Sequence, residues 1–110
     1  MKSQAVARAM LSSASLWLLV APAAAQEGDA LVSQGERAFK SQGCYGCHQV
    51  GKAGTPIGPD LSRVGGKYPV SYLTRWLRDP QSVRPAAHMP KLELSAEEVQ
   101  ALAAYLAWLK

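Results

Sequence analysis

The chain has two cysteines, and they stand three residues apart in Gly43-Cys44-Tyr45-Gly46-Cys47-His48, with a histidine directly behind the second. No other feature constrains the fold as strongly, because whatever these three side chains hold is tied to one short turn. A C-x-x-C pair has several uses. A redox pair of the thioredoxin type sits in a βαβ setting, and this sequence has no convincing strand. A zinc centre takes four thiolate, imidazole or similar donors, which would require Cys44, Cys47, His48 and His88 with none to spare. A disulfide across so small a loop would stabilise little. The remaining use, the one that also needs the histidine, is covalent attachment of a c-type haem.

The spacing suits that chemistry. Two cysteines three apart on a helical turn point to one side, where each can form a thioether with a vinyl group at one porphyrin edge. His48, four residues after Cys44, then comes under the ring with a nitrogen for the iron. For the opposite axial position the chain offers Met89, in His88-Met89-Pro90, within a stretch that has no helical period. A methionine there is poorly placed as core filler. His88 is the rival ligand, being the only other histidine. Methionine ligation raises the potential, as an electron carrier requires.

The N-terminus has a basic start, MKSQAVAR, an uncharged run, AMLSSASLWLLVA, and a small-residue end, Pro22-Ala23-Ala24-Ala25. These are the three parts of a secretory signal peptide. The uncharged run is short of the ~20 residues that cross a bilayer. The expected organisation is a cleaved signal over residues 1–25, an exported domain over 26–110, and a periplasmic location without a membrane anchor. Met1 and Met10 would leave with the signal, so Met89 becomes the sole thioether. Lys2 and Arg8 leave as well, which gives ten basic residues against eight acidic ones, a net of +2. Neither that charge nor the residue pattern suits nucleic acid, which calls for a clustered basic surface.

Periodicity predicts three helices. The first covers about residues 30–42, with Leu31, Gly35, Ala38 and Phe39 on one stripe. The second runs from Pro69 to Asp79, with Val70, Leu73, Trp76 and Leu77 on one side and Pro80 ending it. The third opens on Ser95-Ala96-Glu97-Glu98, a capping box, and carries Val99, Leu102, Leu106 and Leu109, with Tyr105 and Trp108 beside them. Residues 49–67, rich in glycine and including Pro56 and Pro59, read as loop. Residues 81–94 read as irregular. A domain of this size is only marginally stabilised by its own side chains, so an apolar group at its centre would complete the core.

The ordered set Gly35-x-x-x-Phe39, Gly43-Cys44-x-x-Cys47-His48, Gly58-Pro59-Asp60-Leu61, Tyr72-Leu73, Trp76-Leu77-x-Asp79-Pro80, Met89-Pro90 and Leu102-x-x-Tyr105-Leu106 resembles the class I, small bacterial monohaem cytochromes c. The resemblance implies an all-α cytochrome c fold of three main helices and long loops wrapped around one covalently bound haem c. It implies thioethers from Cys44 and Cys47 and axial ligation by His48 and Met89. The Pro59 carbonyl would accept from the His48 ring, Leu61 would pack on the haem, Lys67 and Tyr68 would face the propionates, and Trp76 would lie beside the methionine. Where the larger mitochondrial type has a long loop over the lower haem edge, this sequence is short around Lys67 and Tyr68, which would leave the propionate side more exposed.

The implied function is periplasmic electron transfer. Single electrons would pass through the haem edge near Cys44 and Cys47 to redox proteins, a dehydrogenase, reductase or membrane oxidase, docking weakly among rim charges such as Lys52, Arg84 and Lys91. Two alternatives stand beside a free carrier that is not itself an enzyme. One is the electron-accepting subunit of a larger periplasmic oxidoreductase. The other is a gas-sensing or peroxide-reactive haem protein, should the sixth ligand be labile.

Overall fold

A computed structural model describes residues 10, 12–19 and 23–110. The basic start of the expected signal peptide, and Pro22 at its end, lie outside the described residues. Leu16, Trp17, Leu18 and Leu19 are irregular and exposed. Among the described residues no helix is long and apolar enough to cross a membrane.

Helix α1 covers Ala23–Ser41, seven residues longer at its start than the apolar stripe suggests. The extra turns open on Ala-Ala-Ala-Gln-Glu, good helix formers that need no buried face, and residues 23–30 are all exposed. Burial begins where the stripe does, at half-buried Leu31, and deepens at Gly35, Ala38 and Phe39. The helix ends at Gly43, whose φ of 76° is the left-handed conformation that glycine adopts freely. Its N–H returns to the Lys40 carbonyl at 3.2 Å.

Residues 49–67, expected to be loop throughout, contain a minimal antiparallel ladder of β1 (Gln49–Val50) and β2 (Ala53–Gly54). Two residues per strand are too few to leave an alternating signature. Helix α2 spans Val70–Arg78 with Pro69 as its extended N-cap rather than its first helical residue. Leu73 and Leu77 face the core, but Val70 remains 50% exposed, outside the stripe assigned to it. Within the segment expected to be irregular, Pro80–Val83 form a short helix, α3, and Pro80 is fully buried. Thus the proline that stops α2 also fills the core.

Helix α4, Ala96–Trp108, opens with the expected capping box: the Glu98 N–H donates to Ser95 Oγ, and the Ser95 N–H donates to the Glu98 carboxylate, each at 3.1 Å. Glu98 also accepts from the Gln42 side-chain amide, which ties the start of α4 to the end of α1. α4 lies against α1 and α2, and Phe39, Leu73, Leu77, Val99, Leu102, Tyr105, Leu106 and Leu109 form the core. Burying each such aliphatic or aromatic side chain contributes about 1.5–3 kcal/mol. α1 and α4 approach most closely at Gly35, where an added Cβ would overlap the Ala101 carbonyl and come within 2.5 Å of Tyr105 Cβ. Trp108, by contrast, is 63% exposed. The fold is all-α in its main elements, with α1, α2 and α4 as the three principal helices.

Candidate functional site

The C-x-x-C-H segment follows α1 directly. Gly43 turns the chain, and Cys44–Gly46 form one turn of 3₁₀ helix. The Cys47 and His48 N–H groups both donate to the Cys44 carbonyl, at 3.2 and 2.9 Å, which closes the turn. Its far side is pinned by the Gly58 N–H donating to the Cys47 carbonyl at 2.6 Å. Cys44 is half-buried and Cys47 exposed, and the two thiols are free rather than joined as a disulfide. Burial pushes the Cys44 thiol above its ordinary pKa, against a lowering backbone hydrogen bond, with the neighbouring Cys47 adding to the rise. Among the described residues no three His, Cys, Asp or Glu side chains converge as metal donors.

The imidazole of His48 is held from one side. Its Nδ1 lies 2.7 Å from the Pro59 carbonyl oxygen. A carbonyl only accepts, so Nδ1 carries the proton and the lone pair resides on Nε2. This is the arrangement by which a carbonyl orients a metal-ligating histidine. Gly58 makes it possible: a Cβ there would stand 2.8 Å from His48 Cε1 and 3.0 Å from Nδ1. The sequence reading placed Gly58 in a motif but missed this steric role, for which the only signal was the Gly-Pro pair itself.

Met89 is half-buried and His88 exposed. The Met89 sulfur receives a hydrogen bond from the Trp76 indole, Nε1 to Sδ 3.1 Å, so the expected pairing of these two side chains is present. Leu61 and Tyr72 pack half-buried against the core, whereas Ile57, next to Gly58, is 74% exposed. Lys67 and Tyr68 are both exposed. Tyr68 stacks on Tyr72, with centroids 4.3 Å apart and rings 12° from parallel. Lys67 has a local electrostatic partner in Asp60, whose carboxyl is lowered first by the Ser62 hydroxyl and backbone N–H, and secondarily by Lys67 and Arg63.

The donor set fits a c-type haem. Two unpaired thiols lie on one turn, an imidazole offers Nε2, a thioether is steadied by an indole, and apolar side chains nearby are incompletely covered. The profile of the family described as "Cytochrome c" matches residues 32–110, and the chain belongs to the cytochrome c family. It is accordingly a haem electron-transfer protein, with haem c bound covalently as the family binds it.

A relative, the "Cytochrome c oxidase subunit 2" of Alkalihalophilus pseudofirmus, is 36% identical over 91 residues, which cover 74% of this chain and 27% of that protein. The chain thus spans about a quarter of the length of the curated relative it matches. The structure of the c-type cytochrome SorU from Sinorhizobium meliloti superposes with a TM-score of 0.58 at 21% identity, covering 74% of this chain and 92% of that one. At that identity the likeness concerns the fold.

Proposed function

We propose that the chain is a periplasmic one-electron carrier, not itself an enzyme, in which Cys44 and Cys47 hold a single haem c and His48 and Met89 are the axial ligands of its iron. The observation that carries the ligand assignment is the Trp76–Met89 hydrogen bond, which steadies the sulfur of a half-buried methionine while the rival His88 lies exposed. When bound, the haem supplies reversible Fe(II)/Fe(III) chemistry. His48 presents Nε2 because Pro59 holds its Nδ1–H. Since both side chains are anchored by neighbours, neither has to move when the charge changes, and reorganisation stays small. Leu61, Tyr72 and Trp76 give an apolar surround, which disfavours the more highly charged oxidised form and raises the potential. Lys67 and Tyr68 are the candidate propionate partners, with lysine a single-point donor.

Cys47 is exposed, as are Lys52, Arg84 and Lys91, which leaves one of the haem-attaching residues and these charges open to a small, transient interface with redox proteins. Export through a signal peptide cut after Ala25 fits the exposure of residues 23–30: removing the first turn of α1 takes nothing from the core. A second reading keeps the chemistry and makes the protein the electron-handling subunit of a larger oxidoreductase; the relative's name, an oxidase subunit, favours it.

The test is the visible spectrum of the purified protein, oxidised and reduced, with and without carbon monoxide, together with the potential of Met89→Ala. A carrier with His48 and Met89 in place is unchanged by carbon monoxide. Met89→Ala should lower the potential by on the order of 0.1 V, within the roughly 0.8 V that axial ligands span. A carbon monoxide shift in the unaltered protein, or an unchanged potential in the variant, refutes the ligand pair.

A further inference from the structure

Holding a porphyrin by two thioethers needs only a spacer between the cysteines, yet one of the two spacer residues is Tyr45, a large ring on a turn otherwise made of glycine and cysteine. The ring does not stand free in solvent. Tyr45 is half-buried against the core, and it meets Phe39 edge-on, with centroids 4.7 Å apart and planes at 83°. Phe39 is itself fully buried and meets Tyr105 of α4 at 5.7 Å. The Tyr45 phenol adjoins that of Tyr105, which is pushed up to about 12 by desolvation first and by Tyr45 second. One flank of the Tyr45 ring is thus backed by the crossing of α1 and α4.

The other flank carries the segment that wraps His48. A Cβ added to Gly54 would stand 3.0 Å from Tyr45 Cδ1 and would overlap the His48 carbonyl, so β2 lies against both at this point. From there the Thr55 N–H donates to the His48 carbonyl at 3.3 Å, the Gly58 N–H donates to the Cys47 carbonyl at 2.6 Å, and the Pro59 carbonyl accepts from His48 Nδ1 at 2.7 Å. Residues 54–59 therefore run from the Tyr45 ring to the bond that orients the imidazole. The segment has little anchorage of its own: Gly54, Pro56, Ile57 and Pro59 are exposed.

We infer that Tyr45 is a positioning residue for the axial histidine: braced by Phe39, its ring supports residues 54–59 and so sets where the Pro59 carbonyl meets His48. The inference rests on the reading that His48 ligates the iron. A ligating imidazole is more basic when its other nitrogen donates to a carbonyl, and a more basic ligand favours the ferric state. Removing the ring lets the segment settle, which loosens the bond from Nδ1 to Pro59 and turns the imidazole plane. The contacts to Phe39 and Gly54 are made by ring carbons, so the ring rather than the hydroxyl is what matters. Because Tyr45 acts at one remove, the effect is smaller than the about 10–100-fold cost of losing such a hydrogen-bond partner outright.

The experiment records the proton magnetic resonance of the ferric holoprotein, in which the pattern of the four shifted haem methyl signals follows the orientation of the axial imidazole, together with the midpoint potential. Tyr45→Leu, which keeps an apolar side chain but no flat ring, should redistribute the methyl shifts and raise the ferrous-to-ferric ratio at a fixed potential about threefold, equivalent to about 28 mV at 59 mV per tenfold for one electron. Tyr45→Phe should leave both as in the unaltered protein. Val99→Ala, in the core beside Val70 and Thr74 of α2, should lower thermal stability and move neither, which separates positioning from stability. If Tyr45→Leu gives no folded holoprotein, Gly54→Ala, whose methyl presses on the same ring and carbonyl, should redistribute the methyl shifts in its place. An unchanged methyl pattern or potential in Tyr45→Leu, an unchanged pattern in Gly54→Ala, a change of equal size in Val99→Ala, or a shifted pattern in Tyr45→Phe overturns the inference. Absence of iron-shifted His48 ring protons in the unaltered ferric protein would instead mark failure of the His48 ligation itself, so the two failures are distinguishable.

Discussion

Replacing Gly35 with alanine sets two effects of known size against each other. In an exposed helix interior the change would stabilise, since alanine is better than glycine by about 1 kcal/mol. At Gly35 the new methyl would overlap the Ala101 carbonyl and stand 2.5 Å from Tyr105 Cβ, against 3.4 Å for an ordinary contact. The Tyr105 contact alone requires α1 and α4 to separate by about 0.9 Å and the Ala101 carbonyl oxygen, nearer still, requires more; these atoms belong to the backbone and to a Cβ, which cannot rotate away. Overpacking of this kind costs about 1–3 kcal/mol, and rigid neighbours place it near the top of that range. The net expectation is a loss of about 2 kcal/mol, which for a domain of this size lowers the midpoint of thermal unfolding by about 8–16 °C. Thermal unfolding of the holoprotein followed by far-ultraviolet dichroism measures it, with Gly66→Ala as the control because a Cβ there meets nothing within 4 Å. A variant as stable as the unaltered protein, or lowered no further than Gly66→Ala, would refute the close helix crossing.

The remaining expectations concern the site and the cap of α4. Gly58→Ala should press the new methyl onto the His48 ring, 2.8 Å from Cε1, weaken the bond to Pro59 and cost about 1 kcal/mol; unaltered unfolding and an unaltered reduced spectrum would argue against the cradle. Replacing Cys44 and Cys47 together with alanine should give a chain that loses haem on acid extraction and largely fails to fold, since a domain this small depends on added apolar volume; a cooperatively folded haem-free chain would show otherwise. Ser95→Ala should cost about 1 kcal/mol by leaving the Glu98 N–H without its cap, a loss readable in urea unfolding, where no change in midpoint would contradict it. The Glu98 carboxyl is held below its ordinary range by the Ser95 N–H first and the Gln42 amide second. A depressed carboxylate stabilises above its unfolded-state pKa, and that contribution is lost as pH falls through the folded-state value. Glu98→Gln should therefore unfold with a shallower acid dependence than the unaltered protein, and equal slopes would rule this out.

Much of the site was legible because its chemistry is local. Cys44, Cys47 and His48 fall on one turn, and a turn's geometry follows from consecutive residues. The capping box of α4 was readable for the same reason: Ser95 and Glu98 bond across three positions. The start of α1 at Ala23 was not readable, because its first turns bury nothing and leave no period. Nor was the ladder at residues 49–54, which is too short to alternate, or the burial of Pro80, which depends on what packs over it.

By itself the sequence determined the helices with a buried stripe, the turn that holds two thiols and an imidazole, and the all-α class, since each follows from the repeat of a helix or the reach of a turn. With the expected loss of Met1 and Met10 in the signal segment, it also narrowed the candidates for the second axial ligand to Met89 and His88. Only the tertiary structure decided which of these has its side chain steadied, because the bond from Trp76 joins residues thirteen apart across two proline-interrupted segments. Only the tertiary structure, too, turned Gly58 into the cradle of the imidazole and Gly35 into the crossing point of α1 and α4. Periodicity reports which side of an element is buried; what lies against that side depends on where distant parts of the chain are brought together.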